Sequence, residues 1–157
     1  MTPADTSAIA NAIIATLGAD ALLLSLMPNG VYYDVAPAGS LRFVSVTLVD
    51  AADVAAFEGR AIEDAHYLIQ AIALSSTQPN VAAAALRIEE LLEDVPLSVA
   101  GYGWLTTYRT RPVRESAPDP IDRSQLWHHR GGYYRVQMTP LAPARRLAGV
   151  RSRVNGG

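Results

Sequence analysis

The chain of 157 residues has no cysteine. Disulfides and thiolate metal sites are therefore excluded, and nucleophilic chemistry through a thiol goes with them. Lysine is absent too: all 13 basic residues are arginine. Aromatic residues are sparse, with two Trp and two Phe beside seven Tyr. No apolar run is long enough to span a bilayer, since the longest, "ALLLSLM" at 21–27, covers about a third of the span needed. The opening "MTPADTSAIA" has no basic residue before its apolar stretch, which makes it a poor secretion signal.

Half of the residues are hydrophobic and 18% are charged, the balance of an ordinary globular domain long enough to bury a substantial core. The net charge of −2 conceals a polarity. Residues 1–100 hold 3 Arg and 12 acidic residues, a net of −9, whereas residues 101–157 hold 10 Arg and 3 acidic residues, a net of +7. Such a basic half suits a nucleic-acid partner, or a subunit that sets its positive surface against a negative one on a neighbour. The planar fork of Arg favours paired contacts of either kind. An Ala-rich, Lys-free composition equally fits a GC-rich coding sequence.

Periodicity predicts helix, strand, strand, helix, strand, strand. Ile9, Ile13 and Leu17 recur at helical spacing over 5–26, with Asp5 or Thr6 as N-cap and Gly18 as a break. Residues 32–38 read as extended or looped. Val44, Val46 and Leu48 alternate with Ser45 and Thr47 in a strand over 41–49, and 50–59 reads as a connection. The stretch 60–74 is ambiguous. A strand is favoured over a helix because Tyr67, Ile69 and Ala71 alternate with His66, Leu68 and Gln70. A helix over 79–94 follows, capped by Ser or Thr, with Val81, Ala84, Ala85, Ile88, Leu91 and Leu92 on its apolar side and Glu89, Glu90 and Glu93 on its wet side. A strand is expected over 102–111, with Trp104, Thr106 and Tyr108 on one face. The proline-rich, charge-alternating 112–125 reads as a long exposed loop, and a last strand runs over 126–139. Residues 1–140 then make one α+β domain: a mostly antiparallel sheet of about four strands with two main helices on one face. The Arg-rich 141–157 reads as a flexible tail.

The densest chemistry lies in "LWHHRGGYYRVQMTP", 126–140. A metal site would need three or four converging ligands, but adjacent His128 and His129 point to opposite faces of a strand, and His66 is the only other histidine. A phosphate cradle at Gly131 and Gly132 would need a helix to follow, and a strand-like "YYRVQMTP" follows instead. The stretch is expected to be architectural, its glycines permitting a kink or bulge, with Tyr134, Val136 and Met138 facing the core. No GxSxG or HExxH spacing exists, so no catalytic, metal or cofactor set is expected. Arg109, Arg111, Arg114, Arg123, Arg130 and Arg135 would lie together on two strands flanking the loop. They suit a protein interface, with DNA contact as the rival reading.

Three segments carry a family resemblance. "GVYYDVAPAGSLRFVSVTL", "RAIEDAHYLIQAIALSSTQPNVAAAALRIEELLED" and "YRTRPVRESAPDPIDRSQLWHHRGGYYRVQM" together resemble the tail completion or tail terminator family of long-tailed phages, over about residues 5–140. The match is a pattern across the domain, with "DVAP" and "HHRGGYYRVQ" as its most suggestive pieces. The resemblance implies a virion protein without an active site, assembled in the host cytoplasm. It implies a homo-hexameric ring at the head-proximal end of the tail tube, which stops tube polymerisation and meets the neck stopper or adaptor protein, with DNA passing through the lumen and no membrane involved. On that expectation Arg109, Arg111, Arg114, Arg123, Arg130 and Arg135, with the acidic helix face at Glu89, Glu90 and Glu93, are candidates for intersubunit or lumen contacts. The alternatives are a neck stopper or adaptor, and a nucleic-acid-binding protein that uses the Arg-rich half.

Overall fold

A computed structural model describes residues 6–56, 59–75 and 80–141. The elements run α1 (Thr6–Gly18), α2 (Ala21–Leu26), β1 (Val31–Tyr33), β2 (Arg42–Ala56), β3 (Gly59–Leu74), α3 (Val81–Leu92), β4 (Tyr102–Pro118) and β5 (Leu126–Pro140). The strands form one sheet in the order β1-β2-β3-β5-β4, with β1 parallel to β2 and every other pairing antiparallel. The fold is α+β as expected, with five strands rather than about four and three helices rather than two main ones. The difference comes from the division of the first helix at Gly18 and from short β1, whose three residues pair parallel with Val44–Val46.

All three helices cover the same face of the sheet. Ile9, Ile13, Leu17, Leu23, Ile88 and Leu92 meet Val44, Val46, Tyr67, Ile69, Tyr134, Val136 and Met138 in one fully buried cluster. Each large aliphatic or aromatic side chain so buried stabilises the fold by about 1.5–3 kcal/mol before entropy is counted. The alternation in 60–74 does specify a strand: Ala65, Tyr67, Ile69, Ala71 and Ala73 are buried under the helices, while His66, Leu68 and Gln70 face the other way. Helix α3 begins after Asn80, which caps it in place of the expected Ser or Thr by accepting from Ala83 N at 3.3 Å; Pro79, like Asp5, lies outside the described residues. Asp20 links the helices. Its Oδ1 caps α2 by accepting from Leu23 N at 2.8 Å, and its carboxylate also pairs with Arg87 of α3 at 2.5 Å.

Three expectations change. First, β2 continues to Ala56, because 50–56 pairs with 59–66 of β3, and only its last part, 54–56 against 59–62, runs as a ribbon beyond the reach of β5. Second, the loop expected over 112–125 is only a short turn. Residues 112–118 belong to β4 and pair with 126–132, and β4 is an edge strand, where the missing amides of Pro112 and Pro118 cost little. Third, β4 does not keep one alternation. Bulges at Leu105 and Thr110 shift the register, so that Thr107 is buried and Trp104, Thr106 and Tyr108 do not share a face. The tail expected over 141–157 lies outside the described residues from 142 onward.

The glycine pair lies inside β5, and the register runs unbroken through it against both neighbours, so the kink or bulge expected there is replaced by close packing. A Cβ on Gly131 would run into the Ile69 carbonyl and the Gln70 Cα of β3, and one on Gly132 would meet the Arg109 side chain, with Cγ at 2.7 Å. Glycine at 132 is therefore what lets the Arg109 stem cross the sheet toward α3.

Candidate interaction surfaces

Among the described residues, no further layer covers the face of the sheet opposite the helices. Its residues come from the second phase of each strand: Ser45, Thr47 and Asp50 of β2, Asp64, His66, Leu68 and Gln70 of β3, Tyr133, Arg135 and Gln137 of β5, and Tyr108 and Arg111 of β4. Their charges are matched locally. Arg135 forks onto Asp64 through Nε, at 2.8 and 3.0 Å, and through Nη2, while its Nη1 donates to Tyr108 Oη at 3.0 Å. Gln137 adds a donor to Asp64 at 3.3 Å. The Arg135 hydrogen bonds hold the Asp64 carboxyl below its ordinary value of 3.8, against the opposing pull of burial. His66 Nδ1 lies 2.6 Å from Asp50 Oδ1. The Arg111 guanidinium sits over the Tyr133 ring, 4.5 Å from its centroid, a cation–π contact. Asp50, His66, Arg111 and Tyr133 line a shallow pocket of about 330 Å³ beside the two bulged residues Val49 and Thr110.

The expected interface residues divide into two groups. Arg109, Arg135, Glu89, Glu90 and Glu93 have partners inside the subunit. Arg109 pairs with Glu89 at 3.0 Å, and its backbone amide donates to Glu93 at 2.7 Å. Glu90 pairs with Arg87 at 3.0 Å. Asp94 N also donates to the Thr107 carbonyl, so the end of α3 occupies the outer side of β4 around 107–109. This protects an edge that would otherwise be a template for another strand. The second group is Arg111, Arg114, Arg123 and Arg130. All four stand on the β4–β5 hairpin, with no ion pair among the described residues. Arg114 lies directly opposite Arg130, so like charges are juxtaposed there with no internal gain.

His128 and His129 do fall on opposite faces. His128 Nδ1 is 3.0 Å from Ser116 Oγ, and burial lowers the pKa of His129, opposed by Glu115. Among the described residues no three His, Cys, Asp or Glu side chains gather in a way that could hold a metal ion. Sequence reasoning missed Asp64, Tyr108 and the Asp20–Arg87 pair. Asp64 sits on the polar phase of a recognisable strand, but its partner lies 71 residues away, beyond the range of local patterns.

The far end of the open face is apolar. Phe43 and Trp127 meet edge to face at 6.4 Å, and with the segment 34–40 they bound a groove of about 360 Å³. Next to it the turn 119–125 presents Ile121 to solvent at 96% exposure.

The architecture of the described residues is thus that of a small α+β subunit: one sheet face sealed by helices, one polar face left open, and a hairpin whose Arg111, Arg114, Arg123 and Arg130 make no ion pair among them. No family profile matches the chain, and no curated protein matches it. Among solved structures it is similar to a chain of "Virion of native gene transfer agent (GTA) particle", with 22% identity and a TM-score of 0.68 over 88% of this chain and 99% of that one. The two chains share this fold along almost their whole lengths.

Proposed function

We propose that the protein is a structural component of a phage-like particle, and that within it the chain acts as a tail terminator. In this reading it forms a homo-hexameric ring at the head-proximal end of the tail tube, halts tube polymerisation and offers a surface to the neck. The observation that carries the structural part is the fold shared with a gene transfer agent virion chain over nearly the full length of both. The terminator role and the hexamer rest on the family resemblance of the three segments quoted above. The polar face that no described element covers suits a surface that meets neighbours, and Arg111, Arg114, Arg123 and Arg130, which make no ion pair among the described residues, supply charge for contacts outside the subunit. No catalytic step belongs to this reading.

Electron microscopy of particles assembled without the protein tests the role. Overlong, headless tubes are expected. Tubes of normal length that fail to join filled heads would move the protein to the neck, as a stopper or adaptor. Normal infectious particles would sink the structural reading. Those four arginines also favour a second reading, DNA binding by the hairpin, which requires affinity to fall steeply with salt.

A further inference from the structure

The turn between β4 and β5 is built unlike a loose surface loop. Asp119 Oδ1 accepts from Ile121 N at 2.7 Å and from Asp122 N at 3.1 Å, and its Oδ2 accepts from Trp127 Nε1 at 3.0 Å. Asp122 accepts from Ser124 N at 3.1 Å, from Ser124 Oγ at 2.6 Å and from Gln125 Nε2 at 3.2 Å. Asp119 N donates to the Gln125 carbonyl at 2.9 Å, closing the turn, and Pro118 and Pro120 restrict the backbone around Asp119. The donors around Asp119 and Asp122 hold both carboxyls below their ordinary values, so the frame stays charged and intact at neutral pH. The product of this ordering is a rigid tip bearing one bare apolar side chain, Ile121, followed two residues later by exposed Arg123. Entropy already lost in the free subunit is not lost again on association, which is how a preorganised apolar anchor gains affinity.

The same chain carries a matching receptor. The groove beneath 34–40 is lined by Val35, Pro37, Phe43, Ile72 and Trp127, with Asp34 as the one charged residue among the described ones. Its volume of about 360 Å³ leaves ample room for an isoleucine side chain. No residue of the turn lines the groove of its own chain. Asp34 is exposed and makes no ion pair among the described residues, and its positive φ of 59° holds it in a conformation that Asp and Asn tolerate better than most residues. The tip therefore pairs an apolar knob with a cation, and the groove pairs an apolar hollow with an anion.

We propose that the 119–125 turn docks onto a second copy of this chain, seating Ile121 in the copy's groove and bringing Arg123 to its Asp34. Knob and groove are different patches of one subunit, so the contact can repeat from copy to copy and close into a ring. The inference rests on the ring reading only for its choice of a second copy as occupant.

Sedimentation of the full chain over a concentration series tests it, with thermal melts as the folding control. Ile121→Ser removes an exposed side chain and should leave the melt unchanged while weakening self-association by roughly tenfold or more. Arg123→Ala and Asp34→Asn should each weaken it, and the double variant should lose no more than the stronger single one, since both remove one contact. Asn keeps the left-handed backbone at 34 acceptable, which separates charge from folding. If Ile121→Ser associates as tightly as the parent, the docking finger is overturned while rings built through another surface remain. Strictly additive losses at 34 and 123 overturn their pairing. A parent chain that stays monomeric throughout overturns the second copy as occupant, and the tail-length experiment then decides the ring reading by itself.

Discussion

The two faces of this sheet are made by the same strands, yet they are held by different forces. On the helix side Tyr67, Ile69, Tyr134, Val136 and Met138 are fully buried in an almost wholly apolar layer. On the bare side, one residue along in each strand, Asp64, His66, Tyr133, Arg135 and Gln137 are joined by hydrogen bonds and stacked charges. The contrast teaches where stability and interaction are placed. Apolar burial is non-directional and sums over area, so it dominates the free energy of folding. Half-exposed ion pairs contribute little each, because water already serves them, but they set the charge pattern that a neighbour meets.

Substitutions on either side can break or sharpen this contrast. The largest effect is expected from the sealed face. Ile69→Ala should cost about 2–5 kcal/mol in chemical denaturation, through lost transfer energy and an unfilled cavity. A cost below about 1 kcal/mol would mean that the helices are not tightly seated on β3.

An intermediate effect is expected at the Arg135–Asp64 ion pair of the open face. Asp64→Asn should cost about 1–2 kcal/mol at pH 7, because Arg135 is left partly covered without its counter-charge. The sign with pH follows from the lowered carboxyl. A native-state pKa below the unfolded value of 3.8 contributes stability that is present above 3.8 and is lost as pH falls through the native value. Parent and variant stabilities should therefore converge below about pH 4. A gap that stays constant from pH 7 to pH 2 would show that Asp64 acts through packing and not through charge.

The smallest effect on folding is expected at Arg111, exposed and stacked on Tyr133. Arg111→Ala should change stability by less than about 1 kcal/mol. A loss above 2 kcal/mol would make Arg111 part of the subunit's own frame and remove it from the candidate contact surface.

Much of this division is written in local pattern. Period-2 alternation around Tyr67 and around Tyr134 identifies both central strands and their buried phases, and the helical spacing of Ala84, Ala85, Ile88 and Leu92 identifies α3. These signals survive because burial acts on every residue of one phase. The 112–118 stretch was legible only in part. Its prolines and alternating charges suit a loop as well as an edge strand, and pairing with 126–132 decides between them. The bulges at Leu105 and Thr110 left no local trace, since a bulge is set by the partner strand.

The candidate surface was less legible than the fold. Composition and charge order, by themselves, determined that no disulfide or thiolate site exists and that cations concentrate beyond residue 100. Only the tertiary structure decided which arginines are used internally. Arg109 and Arg135 look like Arg111 and Arg114 in the sequence, but Glu89 and Asp64 reach the first two, and among the described residues no acidic side chain pairs with the others. The physical reason is range. Burial phase is an average over neighbours in the chain and can be read along it, whereas a charge pair depends on two side chains arriving within about 3 Å from distant segments, which only the assembled sheet and helices bring about.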